Sequence, residues 1–379
     1  MCAVARNAGY TKEYNRKLIL RLLRLEPMSR AEIARRTGLT RACTSLIAAD
    51  MLEEGMLREL EPVLRERGRA AIPLALRGDA AYAVGVYLNR DGCTAGIVDI
   101  AGGILVQERI RLEDAAPGGK IEPLARAIGE MLERTGIARE KLCGIGVSAP
   151  GPLNGEEGRI LNPTRFGLWH QTEIGPMLRE RTGFPVFLEN NAACLARYYY
   201  GRPESRGSGD FLLLLVDSGV GSGVISGGKV FRSSGDFTSE IGHMSIRYDG
   251  IPCPCGNVGC LEMYAAIPNL LRGTGFSAWA QVVDAADTSA PARALLVREA
   301  DYLGAGIVSL ANLISIDTVL LAGDILYGAG RLAPLLESRV NARAVRRERQ
   351  QIRVLPSSLE PGVRLLSAAD VAFGRTLLA

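Results

Sequence analysis

His243-Met244-Ser245-Ile246-Arg247-Tyr248-Asp249-Gly250-Ile251-Pro252-Cys253-Pro254-Cys255-Gly256-Asn257-Val258-Gly259-Cys260 sets three cysteines and one of the chain's two histidines within 18 residues. His243, Cys253, Cys255 and Cys260 offer one nitrogen and three sulfurs. That is a closed tetrahedral set for zinc, with no open position for a reacting water. A chance cluster of core cysteines fits poorly, because two of them lie one residue apart beside Pro and Gly. A disulfide leaves one thiol of the three unpaired. The expectation is a structural zinc loop over residues 243–260.

Outside this loop the cysteines at 2, 43, 93, 143 and 194 are scattered singly, as suits reduced thiols in a cytoplasmic protein. The longest apolar run, Phe211–Val216, is strand length, so no membrane span is expected. The N-terminus carries no apolar signal-peptide core. With 379 residues the chain can hold two or three domains and a large core. Its charge is unevenly spread. Residues 1–75 carry 14 Lys and Arg against 9 Asp and Glu, and the remainder 31 against 32. A basic surplus confined to the first fifth points to nucleic acid.

That first fifth has a readable order. Leu18, Ile19, Leu22, Leu23 and Leu25 form a helical stripe, stopped by Pro27. Ser29, with Glu32 three residues on, is a capping-box signature for a second helix that ends at Gly38. Thr40 caps a third helix running to about Glu54. Strand-like residues 56–60, a basic turn and Ile72-Pro73-Leu74 complete a β-hairpin. Three helices and a hairpin make a winged helix-turn-helix over residues 10–76. Its third helix enters a major groove by its N-terminal end. Thr40, Arg41, Thr44 and Ser45 lie there, exposed by their polar types, and Arg41 matches guanine O6 and N7. Wing residues Arg65, Arg67 and Arg69 face phosphate or the minor groove. The alternative is a helical protein-interaction domain with a solvated basic face.

Residues 81–379 change pattern. Strands over 83–88, 94–99, 103–106, 142–147, 185–188, 211–216 and 318–321 end in glycine turns, with helices between them. This is an α/β arrangement with ligands at the turns. In order along the chain come Ser-Ala-Pro-Gly-Pro, Glu-Asn-Asn, Gly-Val-Gly-Ser-Gly, Ser-Glu-Ile-Gly-His-Met, the cysteine loop followed by Leu-Glu, and a late strand ending Ala-Gly. With the winged helix before them, these motifs resemble the ROK family of repressors, open reading frames and sugar kinases. The resemblance covers essentially the whole chain. It implies an actin-like ATPase fold of two α/β lobes hinged around a cleft that binds a hexose. It also implies that regulators of the family bind DNA as dimers or tetramers. By motif, Gly151, Asn190, Glu240, His243 and Glu262 match the family's sugar-contacting positions, with His243 giving one nitrogen to zinc and the other to the sugar.

Two departures bear on catalysis. Family kinases place an aspartate, the general base, after the asparagine; here stands Asn191, an amide that cannot take that proton. They also open with Asp-x-Gly-Gly-Thr around phosphate and metal, where this chain has Leu88-Asn89-Arg90-Asp91-Gly92. The expectation is a non-enzymatic, sugar-responsive regulator, a repressor, with zinc in the loop. It reads an inverted-repeat double-stranded operator as a homodimer or homotetramer. Its effector is a carbohydrate or sugar phosphate held by Asn190, Asn191, Glu240, His243 and Glu262. The rivals are an ATP-dependent hexose kinase with an added DNA domain, and an interaction protein with a vestigial cleft.

Overall fold

A computed structural model describes residues 8–63, 70–89, 92–111, 117–205, 208–233, 238–358 and 362–378. The N-terminal unit runs α1 (Ala8–Leu23), β1 (Met28–Ser29), α2 (Arg30–Thr37), α3 (Arg41–Glu53), β2 (Leu57–Glu59) and β3 (Pro73–Leu76). The caps explain the boundaries. Ser29 accepts the Glu32 amide, Gly38 stops α2 at a φ of 73°, and Thr40 accepts the Cys43 amide. The strands form an antiparallel sheet in the order β1-β3-β2. Ile33, Ile47, Met51, Leu74 and Leu76 fill the space between helices and sheet. The wing arginines Arg65, Arg67 and Arg69 lie outside the described residues, as do Arg90 and Asp91 of the first turn.

The first lobe opens with an antiparallel meander of β4 (Tyr82–Asn89), β5 (Gly92–Asp99) and β6 (Ile104–Ile110). α4 (Ile121–Thr135), β7 (Leu142–Ala149), the small hairpin β8 (Leu153–Asn154) and β9 (Arg159–Ile160), α5 (Ile174–Thr182) and β10 (Val186–Asn190) follow. β7 and β10 join in parallel, giving the order β6-β5-β4-β7-β10. α6 (Asn191–Tyr199) leads to the second lobe.

There β11 (Phe211–Val216), β12 (Val220–Ser226) and β13 (Lys229–Val230) repeat the meander. α7 (Glu262–Ala265), α8 (Ile267–Leu270), α9 (Trp279–Ala285), α10 (Ala290–Leu313), β14 (Thr318–Ala322), α11 (Ala329–Arg343), β15 (Arg353–Pro356) and α12 (Val363–Thr376) complete the chain. The order β13-β12-β11-β14-β15 copies that of the first lobe. Every residue of β11 and β14 is buried, as expected of central strands covered on both faces. The expected two-lobed actin-like architecture is therefore present.

Two helices cross between the lobes. α6 packs on β12 of the second lobe, and α12 returns to pack on β4 and β7 of the first. The approach is close: a Cβ on Gly146 would lie 1.9 Å from the Ala368 carbonyl oxygen, so only glycine fits. α12 also carries the N-terminal unit. Asp370 pairs with Arg24, whose guanidinium lies 4.6 Å over the Phe373 ring and donates to the Ile100 carbonyl. Ile19, Leu20, Val98, Leu365 and Phe373 belong to one shared core.

Candidate functional site

The cleft residues are set by strand ends. Asn190 closes β10 and caps α6, its Oδ1 accepting the amides of Ala192 (2.9 Å) and Ala193 (3.4 Å). Its Nδ2 is thereby turned towards Gly151. A Cβ on Gly151 would meet Asn190 Nδ2 at 2.8 Å and Glu240 Oε1 at 2.3 Å. Glycine there leaves room for an amide and a carboxyl to converge on one small space. Glu262, at the start of α7, is buried; its Oε2 accepts the Val220 amide (3.1 Å) and its Oε1 the Thr164 hydroxyl (3.4 Å). Burial, followed by the nearby Glu262 carboxylate, pushes the Glu240 carboxyl up to about 7. Amide and carboxyl groups at this spacing can accept from and donate to the paired hydroxyls of a sugar.

His243 follows Glu240 by a single 3-10 turn and belongs to the cysteine loop. The ligand atoms of His243, Cys253, Cys255 and Cys260 all lie within 4.8 Å of one another. Cys253 Sγ is 3.7 Å from His243 Nδ1, and Cys255 Sγ is 3.7 Å from Cys260 Sγ. A tetrahedral metal with sulfurs at about 2.3 Å sets them about 3.8 Å apart, so the separations fit a four-coordinate ion. They are far beyond the roughly 2.05 Å of a disulfide. The loop can hold a metal through these four atoms.

Asn191, expected at the sugar, is anchored within the protein at both ends of its amide. Its Oδ1 accepts the Ser148 hydroxyl (2.6 Å) and its Nδ2 donates to the Leu88 carbonyl (3.1 Å). It ties β4, β7 and α6 together, with both ends of its amide held by protein. Glu189 is equally committed: buried, it accepts the Asn190 amide (3.0 Å) and pairs with Arg232. The glycine turn after β11 opens with Asp217, whose Oδ1 accepts the Asp324 amide (2.6 Å) and whose Oδ2 and Oδ1 accept from Arg364 Nη2 (3.0 and 3.2 Å). Arg364 also donates to the Tyr87 hydroxyl (3.0 Å). Tyr87, Asp324 and Arg364 line a cavity of about 530 Å³, into which β4, β5 and the start of α12 also face and whose lining includes none of Asn190, Glu240 and Glu262.

At the start of α3, Thr40, Arg41 and Ser45 are exposed, but Thr44 is not. Thr44 is fully buried on the inner face of α3 beside Ile47 and Ala48, which corrects its expected exposure. Thr40 spends its hydroxyl on the cap. Arg30, Arg35 and Arg36 pair with Glu59, Glu32 and Glu26, whereas no carboxylate pairs with Arg41 among the described residues. Sequence reasoning missed Ser148, Thr164, Asp217, Asn269 and Arg364. Ser148 opens the Ser-Ala-Pro-Gly-Pro motif, but its partner Asn191 lies 43 residues on, and Thr164, Asp217 and Arg364 likewise act through distant partners.

Fold and cleft together define a class: a helix-turn-helix protein with a two-lobed, sugar-kinase-like domain. The ROK family model matches residues 83–373, and the chain belongs to the ROK family. The xylose repressor of Bacillus subtilis strain 168 is 25% identical over 376 residues, 97% of each chain. The DNA-binding transcriptional dual regulator NagC of Escherichia coli K12 is 27% identical over 375 residues, 93% of this chain and 91% of that protein. A solved ROK family transcriptional regulator, described as a homologue of the E. coli MLC protein, has a TM-score of 0.78 at 22% identity, covering 97% of both chains. That last likeness is one of fold.

Proposed function

We propose that this chain is a sugar-responsive, DNA-binding transcriptional repressor whose kinase-like cleft senses an effector without phosphorylating it. The observation that carries the reading is one chain holding both a helix-turn-helix docked on α12 and a cleft in which Asn191 is locked by Ser148 and the Leu88 carbonyl. Turnover needs a free carboxylate at that position, and loss of a general base costs roughly 10²–10⁴ in rate. The full-length similarity to named repressors supports the same reading. Zinc fills the Cys3His set and fixes the loop between Glu240 and Glu262, so that both carboxyls are held at the sugar. Arg41 reads a base in each half-site, and two protomers read an inverted repeat.

Effector binding closes the lobes, and α12 relays the closure. Its first turn holds Asp217 of the second lobe through Arg364, and its later turns hold α1 through Asp370 and Phe373. An effector acts this way by binding the open and closed states unequally. The test is fluorescence anisotropy on DNA upstream of the coding region, with a sugar panel, alongside an ADP-release assay. The expected result is operator binding released by one sugar class, with no sugar-dependent ADP. Sugar-dependent ADP release would move the protein to the hexose-kinase class.

A further inference from the structure

Beside the buried Glu262, two exposed guanidinium groups meet, one from each lobe. Arg165 lies in the first lobe between β9 and α5; Arg272 follows α8 in the second. Both donate to the same atom: Arg165 Nη2 is 3.3 Å and Arg272 Nη2 2.9 Å from Asn269 Oδ1. The acceptor is fixed, because Asn269 Nδ2 donates to the Glu262 carbonyl at 2.7 Å. Thr164, the neighbour of Arg165, reaches across to the Glu262 carboxylate. The pair therefore adjoins Glu262, on its solvent side.

Two features set this pair apart from ordinary surface arginines. No carboxylate pairs with either guanidinium among the described residues, so two like charges converge on one neutral oxygen without compensation. Among the described residues other arginines commonly find an acid, as Arg159 finds Glu173 and Arg331 finds Asp287. The backbone also bends to deliver Arg165, at a φ of 57°, where residues other than glycine are uncommon. Forked donors that meet from two directions match an oxyanion.

Resting on the reading that the cleft binds a sugar, we propose that Arg165 and Arg272 form an anion subsite, and that the effector is a sugar bearing a phosphate or carboxylate group at its outward end. The charges are segregated accordingly. Glu240 and Glu262 lie deeper and take hydroxyls, while the guanidiniums stand on the solvent side of Glu262 and take the anion. Because one arginine belongs to each lobe, the anion bridges the lobes and binds the closed state preferentially, which is what a switch requires.

The experiment is calorimetric titration of the full chain with neutral aldoses, their 1-phosphates and 6-phosphates, the matching uronates, and inorganic phosphate. One anionic form should bind at least about tenfold tighter than its neutral parent, the equivalent of one charge-assisted hydrogen bond. The phosphate and uronate arms tell which oxyanion is read. R165G and R272Q should each shrink that ratio, and together bring it to about one, with affinity for the neutral parent changed less than about twofold. R165G keeps the turn, because glycine accepts a φ of 57°. A neutral sugar that binds as tightly as every anionic form, or a double variant that keeps the preference, overturns the subsite. If that neutral sugar still releases operator, the repressor reading stands without it. If no sugar of any charge binds, both fall.

Discussion

Glu240 shows how one side chain's surroundings reach the stability of the whole. Its carboxyl is raised from an ordinary 4.5 to about 7 by burial and by Glu262. Between those values the folded chain binds more protons at this site than the unfolded chain, so stability falls as pH rises. The favourable contribution is complete below about pH 4.5 and is lost by about pH 7, an upper limit of roughly 3 kcal/mol. Glu240→Gln should remove that slope. Melting temperature measured against pH should decline less steeply in the variant than in the parent between pH 4.5 and 7; identical slopes would show that Glu240 does not titrate there. Cys255→Ser tests the other half of the shell. Three ligands hold zinc poorly, so elemental analysis should fall from about one zinc per chain to well below it. The first-lobe core contains no loop residue, and the second-lobe core meets the loop only at its edge, through Met244 and Ile246, so the chain should stay folded. A parent protein free of metal would reject the zinc assignment.

Among the elements, α3 presents the clearest division between a buried and a working face. Thr44, Ile47, Ala48 and Met51 face the core, and Arg41 and Ser45 face outward. Arg41→Ala should cost about 1–3 kcal/mol of discrimination against non-operator DNA if it reads a guanine. Equal loss on specific and random DNA, measured by anisotropy, would make it a phosphate contact instead. The helices around it were legible because their caps are local: Ser29, Gly38, Thr40 and Gly55 announce boundaries within four residues. Strands ending in glycine turns were legible for the same reason, and so was the convergence of His243, Cys253, Cys255 and Cys260. Thr44 was not, since its polar type says exposed while the helix turns it inward, with its hydroxyl unpartnered. Nor was the fate of Asn191, which depends on Ser148 and Leu88, 43 and 103 residues away. Arg364 and Asp217 are 147 residues apart, and no local pattern joins them. Periodicity and capping act over one element; the polar cross-ties of the cleft exist only once both lobes have folded.

At the scale of the molecule, α12 touches the first-lobe sheet, the second lobe and the N-terminal helix-turn-helix unit. Its 14 residues span about 20 Å, with Arg364 near one end and Asp370 and Phe373 towards the other. Closure that shifts Asp217 against Tyr87 pulls on Arg364, which bonds to both, and so on the helix that seats α1. The Arg24–Asp370 pair is largely shielded, with side-chain exposures of 8% and 15%. Breaking such a pair is costly, about 3–5 kcal/mol when fully buried, yet Arg24 keeps its contacts with the Ile100 carbonyl and Phe373. Asp370→Asn should therefore loosen the seat of α1 without dismantling either unit. Coupling between effector and operator is the ratio of operator affinities with and without effector, commonly about 5–150-fold. In the variant this ratio should fall several-fold towards one, while effector affinity in the absence of DNA stays within about twofold. Linkage supplies an independent check, because the effect of operator on effector affinity must fall by the same factor. A variant that melts as one unit, binds both partners and keeps the parent ratio would show that the signal travels by another route than α12.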